Sequence, residues 1–149
     1  MKTPIGTLNL LANDQFLIGA NFSVISAFKA PDAKTVKSIP VISDLIKDYF
    51  DGDFSAINAI KVQQVGPPFS QSAWKSMRRV NAGKVISYAD LADKAGSPAA
   101  VRAAGSACAN NAIVLVVPCH RVVKTGGALG NYAFGVDKKE WLLSHEGFL

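Results

Sequence analysis

Apolar and polar positions along this 149-residue chain change rhythm near its middle. Between Thr7 and Phe22 two apolar stretches flank Asn13-Asp14-Gln15, which predicts a β-hairpin. Ile42, Leu45, Ile46, Tyr49 and Phe50 recur at helical spacing, and Asp51-Gly52 stops that helix. A short strand is expected around Ile57 to Val62, after which Gly66-Pro67-Pro68 breaks the chain.

Beyond the break the pattern is mainly helical. Trp74, Met77 and Val80 mark the buried face of a helix over Ser70 to Val80, leaving Lys75, Arg78 and Arg79 outside. Ser87, with Asp90 three residues on, caps a helix through Leu91 to Lys94 that Gly96 ends. Ser97-Pro98 then restarts a helix at once, so two helices meet across a tight turn as a helix-turn-helix. Ile113 to Val117 is apolar without alternation and reads as a strand or extended segment buried on both sides, though periodicity alone leaves a helix open. A last helix is expected over Asp137 to Glu146. The pattern predicts two parts, residues 1-66 and 67-149.

At 49% hydrophobic residues the chain can bury a sizeable core, which excludes a disordered or fibrous protein. The opening Met1-Lys2-Thr3-Pro4-Ile5-Gly6 carries no secretory signal pattern, and no apolar run reaches membrane-spanning length. The expectation is a cytoplasmic protein, or a nuclear one in a eukaryote, without membrane association. In a reducing compartment its two cysteines stay unpaired.

Charge is unevenly distributed. Residues 1-66 hold six lysines against six aspartates, whereas residues 67-149 hold ten Lys/Arg against five Asp/Glu. The whole net +5 thus lies in the second part, which suits a polyanionic partner, nucleic acid before membrane. A plain solvated basic surface explains the charge equally well.

The segment Pro98 to Cys108 holds one charge and almost nothing larger than a methyl group. An ordinary helix, about 10–12 Å across, is too wide for a minor groove of about 6 Å. A helix stripped to alanine and glycine presses closest to such a groove, with Arg102 its only long projection. The plainer reading is a thin helix packed against a neighbour.

Pro118-Cys119-His120-Arg121-Val122 follows the apolar run directly. Proline ends regular structure there and places Cys119 at the floor of a pocket. Reactivity requires a thiolate, favoured by a nearby cation or a basic imidazole. His120 is adjacent in sequence, and only a bend after Pro118 or a bridging water connects the two, since neighbours on an extended strand face opposite ways. Glu146, at the end of the last helix, offers a carboxylate to orient His120. Three other readings stand beside this one. Cys119 is a small core hydrophobe, a zinc ligand with Cys108, His120 and His145, or a cysteine-protease nucleophile, although neither the zinc spacings nor the local protease signatures match.

PCHRV, Ser87-Tyr88, Ala-Val-Arg-Ala-Ala-Gly at 100-105, Asn111, Gly130-Asn131-Tyr132 and Lys139 to Glu146 follow one another in an order that resembles the O6-alkylguanine-DNA alkyltransferases, also called methylated-DNA-protein-cysteine methyltransferases. The likeness runs from about Phe69 to Gly147 and more loosely over the first part. The resemblance implies an α/β fold: a small ribonuclease-H-like N-terminal α/β domain, then a mainly helical, winged-helix-like C-terminal domain with the helix-turn-helix.

The resemblance also implies a function. A damaged guanine flips out of double-stranded DNA, and Cys119 takes its O6-alkyl group by in-line displacement, because a stacked base is out of reach of a protein sulfur. His120 acts through water as the base, Glu146 orients it, and Asn111 supports the turn. Tyr88 crowds the phosphate of the flipped nucleotide, Arg102 fills the vacated stack, and Ala100, Val101, Ala103 and Gly105 line the groove-facing helix. Tyr132 and Lys139 neutralise charge on the leaving guanine. Main chain at Cys119 and Val122 reads the base edge, beside Ala133 and Phe134 in the pocket. The thioether is not readily displaced, so each molecule reacts once, as a monomer and with neither metal nor organic cofactor.

Departures from the family pattern qualify this. Val101 stands for the usual alanine, Ala133 for a frequent serine, and Phe134 where glycine is common, which narrows the pocket against large adducts. Ala109 lacks the basic side chain often found there. The first part has no cysteine or histidine, so the structural zinc of some members cannot be built the same way. Two alternatives are a non-enzymatic binder of alkylated bases, whose relatives lack the cysteine, and a zinc-containing helix-turn-helix transcription factor.

Overall fold

In the computed structural model, which describes residues 1–149, the chain opens with β1 (Lys2–Thr3) antiparallel to β2 (Gly6–Thr7). The hairpin expected around Asn13 follows, β3 (Asn9–Ala12) against β4 (Leu17–Asn21), with a register shift between Leu11 and Ala12. Asn13 tightens its turn by accepting the N–H groups of Gln15 and Phe16 at 2.9 and 2.8 Å. Helix α1 (Ile42–Phe50) buries Ile46 and Tyr49 and stops before Gly52, whose φ of 109° suits glycine.

The strand expected over Ile57 to Val62 is instead a 3-10 helix, Phe54–Ala59, and only Val62 bridges to Leu17. The reason lies in the spacing of the buried residues. Ile57 and Ile60 are three apart, which matches three residues per turn and not the alternation of a strand.

Helix α2 (Pro68–Arg78) starts on a proline and buries Trp74 and Met77, with Val80 just beyond it. Lys75 and Arg79 are exposed as expected, whereas Arg78 is half-buried. Strand β5 (Ile86–Ser87) leads into α3 (Tyr88–Lys94), where Ser87 Oγ accepts the Asp90 N–H at 3.0 Å in the expected capping box. At the far end Gly96 has φ 97° and the Ser97 N–H reaches back to the Ala92 carbonyl at 3.0 Å.

Ser97-Pro98 does not restart a helix. A turn closes first, Ala100 N–H to Ser97 O at 2.9 Å, and α4 (Val101–Ala109) begins one turn later than its sequence suggests. Ala100, at φ −89° and ψ 47°, is therefore the residue before the helix, with no side-chain cap.

The apolar run Ile113 to Val117 is almost fully buried, at 2% exposure or less, but is not a strand. Only Ile113 pairs, bridging to Ala20, and the chain then turns through Leu115 at φ 74°. A 3-10 turn, Cys119–Arg121, leads to β6 (Val122–Val123), which pairs in parallel with β5 as Ile86 with Val122 and Ser87 with Val123. Helix α5 (Val136–His145) closes the chain.

Two compact units result, residues 1–64 with 112–116 and residues 65–111 with 117–149. The first has its core around Leu17, Ile46, Tyr49 and Ile57, joined by the 113–116 turn. In the second, Trp74, Met77, Leu91, Ala104, Ala107, Leu142 and Leu143 are buried. No helix is long and apolar enough to cross a membrane.

Candidate active site

The parallel pairing of β5 with β6 brings the start of α3, and so Tyr88, beside the strand that follows Cys119. Cys119 opens its 3-10 turn, which bends the chain after Pro118, yet the His120 ring makes no hydrogen bond to the sulfur, so the bend alone does not join the two. Two short hydrogen bonds shape it. Cys119 N–H donates to Val117 O at 2.9 Å, and the Asn111 amide donates to the same carbonyl at 2.7 Å. Asn111, buried itself, also hydrogen-bonds the sulfur, so one amide fixes both the turn and the thiol it presents.

Cys119 is 6% exposed, and this burial pushes its thiol above the ordinary value. Asn111, the Lys139 charge and its own backbone N–H pull the other way without cancelling the desolvation. The sulfur therefore rests as a neutral thiol, and any nucleophilic use of it requires that it first lose its proton.

The next residue along the chain carries an imidazole. His120 is fully buried, and burial holds its imidazole below the usual range and neutral, against the opposing pull of Glu146. Its Nε2 lies 2.8 Å from Glu146 Oε2. Burial alone would raise the Glu146 carboxyl, but hydrogen bonds and charges from His120 and Arg121 hold it well below the usual carboxylate range. An ionised carboxylate can only accept, so Nε2 carries the imidazole proton and Nδ1 presents the lone pair. Nδ1 is buried and has no partner in the protein.

Arg121 is the residue that the sequence reading missed. It is 2% exposed and grips Glu146 with both Nε and Nη2 at 2.9 Å, while Nη1 donates to Val80 O at 2.7 Å. The signal was available: an arginine between a cysteine-histidine pair and two valines has to find a carboxylate if it is buried.

Lys139 is fully buried, not a solvated helix residue. Its Nζ donates to Val122 O at 2.6 Å and Asn131 O at 3.2 Å and lies 5.9 Å from the centre of the Tyr88 ring. Burial lowers its ammonium from the ordinary value while Cys119 and Cys108 oppose the shift. Tyr88 is half-buried, its phenol pushed up to about 12 by desolvation and then by the two cysteines. Gly130, at φ 77°, lets the loop pass close to Tyr88, since a Cβ there would lie 3.1 Å from the hydroxyl.

The Tyr132 hydroxyl is the second orphan. It is buried without a partner, and burial, with Cys119 and Glu146 nearby, raises it well above the ordinary value. It stays a donor with nothing in the protein to donate to. Phe134 packs edge-on against it at 6.0 Å, and Ala133 is exposed. Val122 is fully buried, its N–H donating to Cys119 O and its carbonyl taken by Lys139, so the remaining carbonyl lone pairs are what a base edge could meet.

The zinc alternative does not assemble. No group of three or more His, Cys, Asp or Glu side chains converges, His145 stacks on Trp141 at 4.7 Å, and both cysteines are free thiols. Cys108, in the last turn of α4, is half-buried and its thiol is pushed up to about 12, by burial first and then by Cys119.

Helix α4 has two unlike sides. Ala104 and Ala107 are buried, and Trp74 Nε1 donates to Ala107 O at 2.9 Å, so small residues on this side permit close packing, as the plainer reading requires. On the other side Val101 and Arg102 are exposed, Ala103 and Gly105 half-buried, and Ala100 precedes the helix. A Cβ on Gly105 would meet nothing within 4 Å. Glycine inside a helix costs about 1 kcal/mol relative to alanine. No contact within the protein demands it there.

Comparison with known proteins gives a consistent result. The signature of the family described as "6-O-methylguanine DNA methyltransferase, DNA binding domain" matches residues 68–148. The methylated-DNA--protein-cysteine methyltransferase of Shigella flexneri is 44% identical over 108 residues, which cover 72% of this chain and 63% of the Shigella protein. The chain thus spans under two thirds of that relative's length. The Homo sapiens protein of the same name is 36% identical over 162 residues, 99% of this chain and 78% of its own. The structure of Mycobacterium tuberculosis OGT in complex with DNA superposes with a TM-score of 0.84 at 28% identity, over 98% of this chain and 90% of that one.

Proposed function

This chain belongs to the methylated-DNA–protein-cysteine methyltransferase family, and from that premise we propose that it repairs DNA by direct reversal, moving a methyl or small alkyl group from O6 of guanine to Cys119. The observation that carries the reading is the pair of orphaned polar atoms, His120 Nδ1 and Tyr132 Oη, one an acceptor and one a donor, in the surroundings of a buried thiol. Burying such atoms unpaired costs about 1–3 kcal/mol each, a cost that a bound substrate, or a water it displaces, recovers.

In this reading His120 Nδ1 takes the thiol proton through one water, and Glu146 with Arg121 stabilises the imidazolium that results. Sulfur attacks the alkyl carbon in line, the S–C bond forming as the C–O6 bond breaks. Tyr132 donates to O6, and the Lys139 charge stabilises both the transient thiolate and the departing guanine anion. The thiol proton ends on guanine, and the thioether on Cys119 leaves the protein spent. No step calls on a metal or an organic cofactor.

The partner in this reading is double-stranded DNA carrying O6-alkylguanine. Support comes from the basic second unit, the bare outward side of α4, and the DNA complex of the structural relative. Arg102 is the projection that replaces the flipped base and Tyr88 crowds its phosphate, with Ala100, Val101, Ala103 and Gly105 against the groove. We read residues 1-66 as a ribonuclease-H-like domain and 67-149 as a winged-helix-like DNA-binding and alkyl-transfer domain. The α3–α4 arrangement beside the short parallel pair β5–β6 supports the second assignment.

Stoichiometry tests the proposal. With excess duplex containing O6-methylguanine, adduct loss should stop at one per protein molecule. No loss, or loss that continues past one, contradicts it.

A further inference from the structure

A cavity in the second unit, lined by neither Cys119 nor His120, is bounded by the end of α2, the approach to β5 and the end of α3. Its volume is about 370 Å³, inside the ~300–1,000 Å³ range of small-ligand pockets. Three cations line it, Arg79, Lys84 and Lys94, with the Asn81 amide and an apolar wall of Val85 and Ile86. No carboxylate lines it, although Asp90 and Asp93 stand on α3, and none of the three cations makes an ion pair. Like charges gathered without a counter-charge repel one another, and an anion placed among them removes that cost.

We propose that this cavity binds a phosphate group, presented by a DNA backbone phosphodiester or by the phosphate of a nucleotide. Arginine and the two lysines supply the charge, Asn81 a neutral donor, and the Val85–Ile86 wall a surface for the attached sugar. The backbone source rests on the DNA-repair reading. The nucleotide source does not.

The experiment uses the full chain in three forms: unchanged, Lys84→Gln/Lys94→Gln, and the charge-matched Lys47→Gln/Lys61→Gln, whose lysines are exposed in the other unit. Backbone amide signals are followed during titration with inorganic phosphate and with deoxycytidine 5′-monophosphate. Affinity for undamaged duplex DNA is measured against salt. The proposal expects shifts at residues 79–86 and 94 that the Lys84/Lys94 form loses and the control keeps. If DNA is the source, the slope of log K on log salt also falls by about 0.9 in the Lys84/Lys94 form, for the one phosphate contact given up. Shifts with an unaltered slope assign the cavity to a nucleotide. Absence of shifts together with a slope no different from the control overturns the proposal. A chain that binds no DNA at all would defeat the repair reading and still leave the phosphate titration to decide this one.

Discussion

The surroundings of Cys119 and the outward side of α4 belong to one compact unit and are built on opposite principles. Around the sulfur, His120, Arg121, Lys139 and Glu146 are packed out of water, each charge held by a partner. Along α4 the side chains are nearly absent, and the one cation, Arg102, is exposed with nothing in the protein to hold it. In the proposed reaction the chemistry depends on charges fixed before the substrate arrives. The proposed recognition depends on leaving space for a surface that the protein does not contain. Changes in the first region should therefore cost stability and rate together or exchange one for the other, whereas changes in the second should cost rate alone.

Glu146→Gln gives the largest expected effect. It leaves the Arg121 guanidinium buried without its counter-charge, about 3–5 kcal/mol of stability by the general cost of breaking a buried pair. It also removes the anion that supports His120, so single-turnover transfer should slow by about 10²–10⁴. Denaturant midpoints and rapid-quench rates read the two separately, and a loss of rate without a loss of stability would break the comparison.

Tyr132→Phe sharpens it from the other direction. The hydroxyl has no partner in the protein, so its removal should leave the midpoint unchanged or slightly higher, while transfer slows by about 10² through loss of a donor to O6. A clear fall in stability would make Tyr132 a structural residue.

Arg102→Ala should slow repair of duplex DNA by about tenfold, equivalent to ~1.4 kcal/mol, and leave reaction with free O6-methylguanine base unaltered. Equal losses on both substrates would show that α4 serves the fold, not the duplex.

The smallest effect is the pH profile of stability. His120 is held neutral and Glu146 ionised in the folded protein, both below their unfolded values, so the unfolded chain binds more protons in acid. Stability should fall as pH drops below ~6.5 through His120 and again below ~4.3 through Glu146. Cys119 and Cys108 are raised by burial, so stability should also fall as pH climbs past ~8.5. Arg102→Ala should follow the same curve at every pH, because none of these groups is on the outward side of α4. Urea midpoints across pH measure it.

Local chemistry was legible wherever neighbouring residues decide it. The Asn13 turn, the Ser87–Asp90 box and the Gly96 stop each depend on residues within a few positions and formed as their sequences predict. Elements decided by distant packing were not legible. Ile113 to Val117 looks like a buried strand because it is buried, yet a left-handed Leu115 turns it, and no periodicity encodes that. Ser97-Pro98 has the residues of a helix start, but the chain completes a turn before α4 begins. In the site, the Glu146–His120 pairing was read from residue types alone. Arg121 went unseen because its burial, which is what forces it onto a carboxylate, is not encoded in the residues beside it, and the neutral Cys119 thiol for the same reason.

The central claim is that Cys119 is the acceptor. After incubation with duplex DNA carrying O6-methylguanine, the mass of the peptide containing Cys119 should rise by one methyl group, with Cys108 unmodified and the Cys119→Ser form unlabelled. A folded protein whose Cys119 peptide keeps its mass while the DNA retains its adduct, or whose label falls on Cys108, would contradict the account.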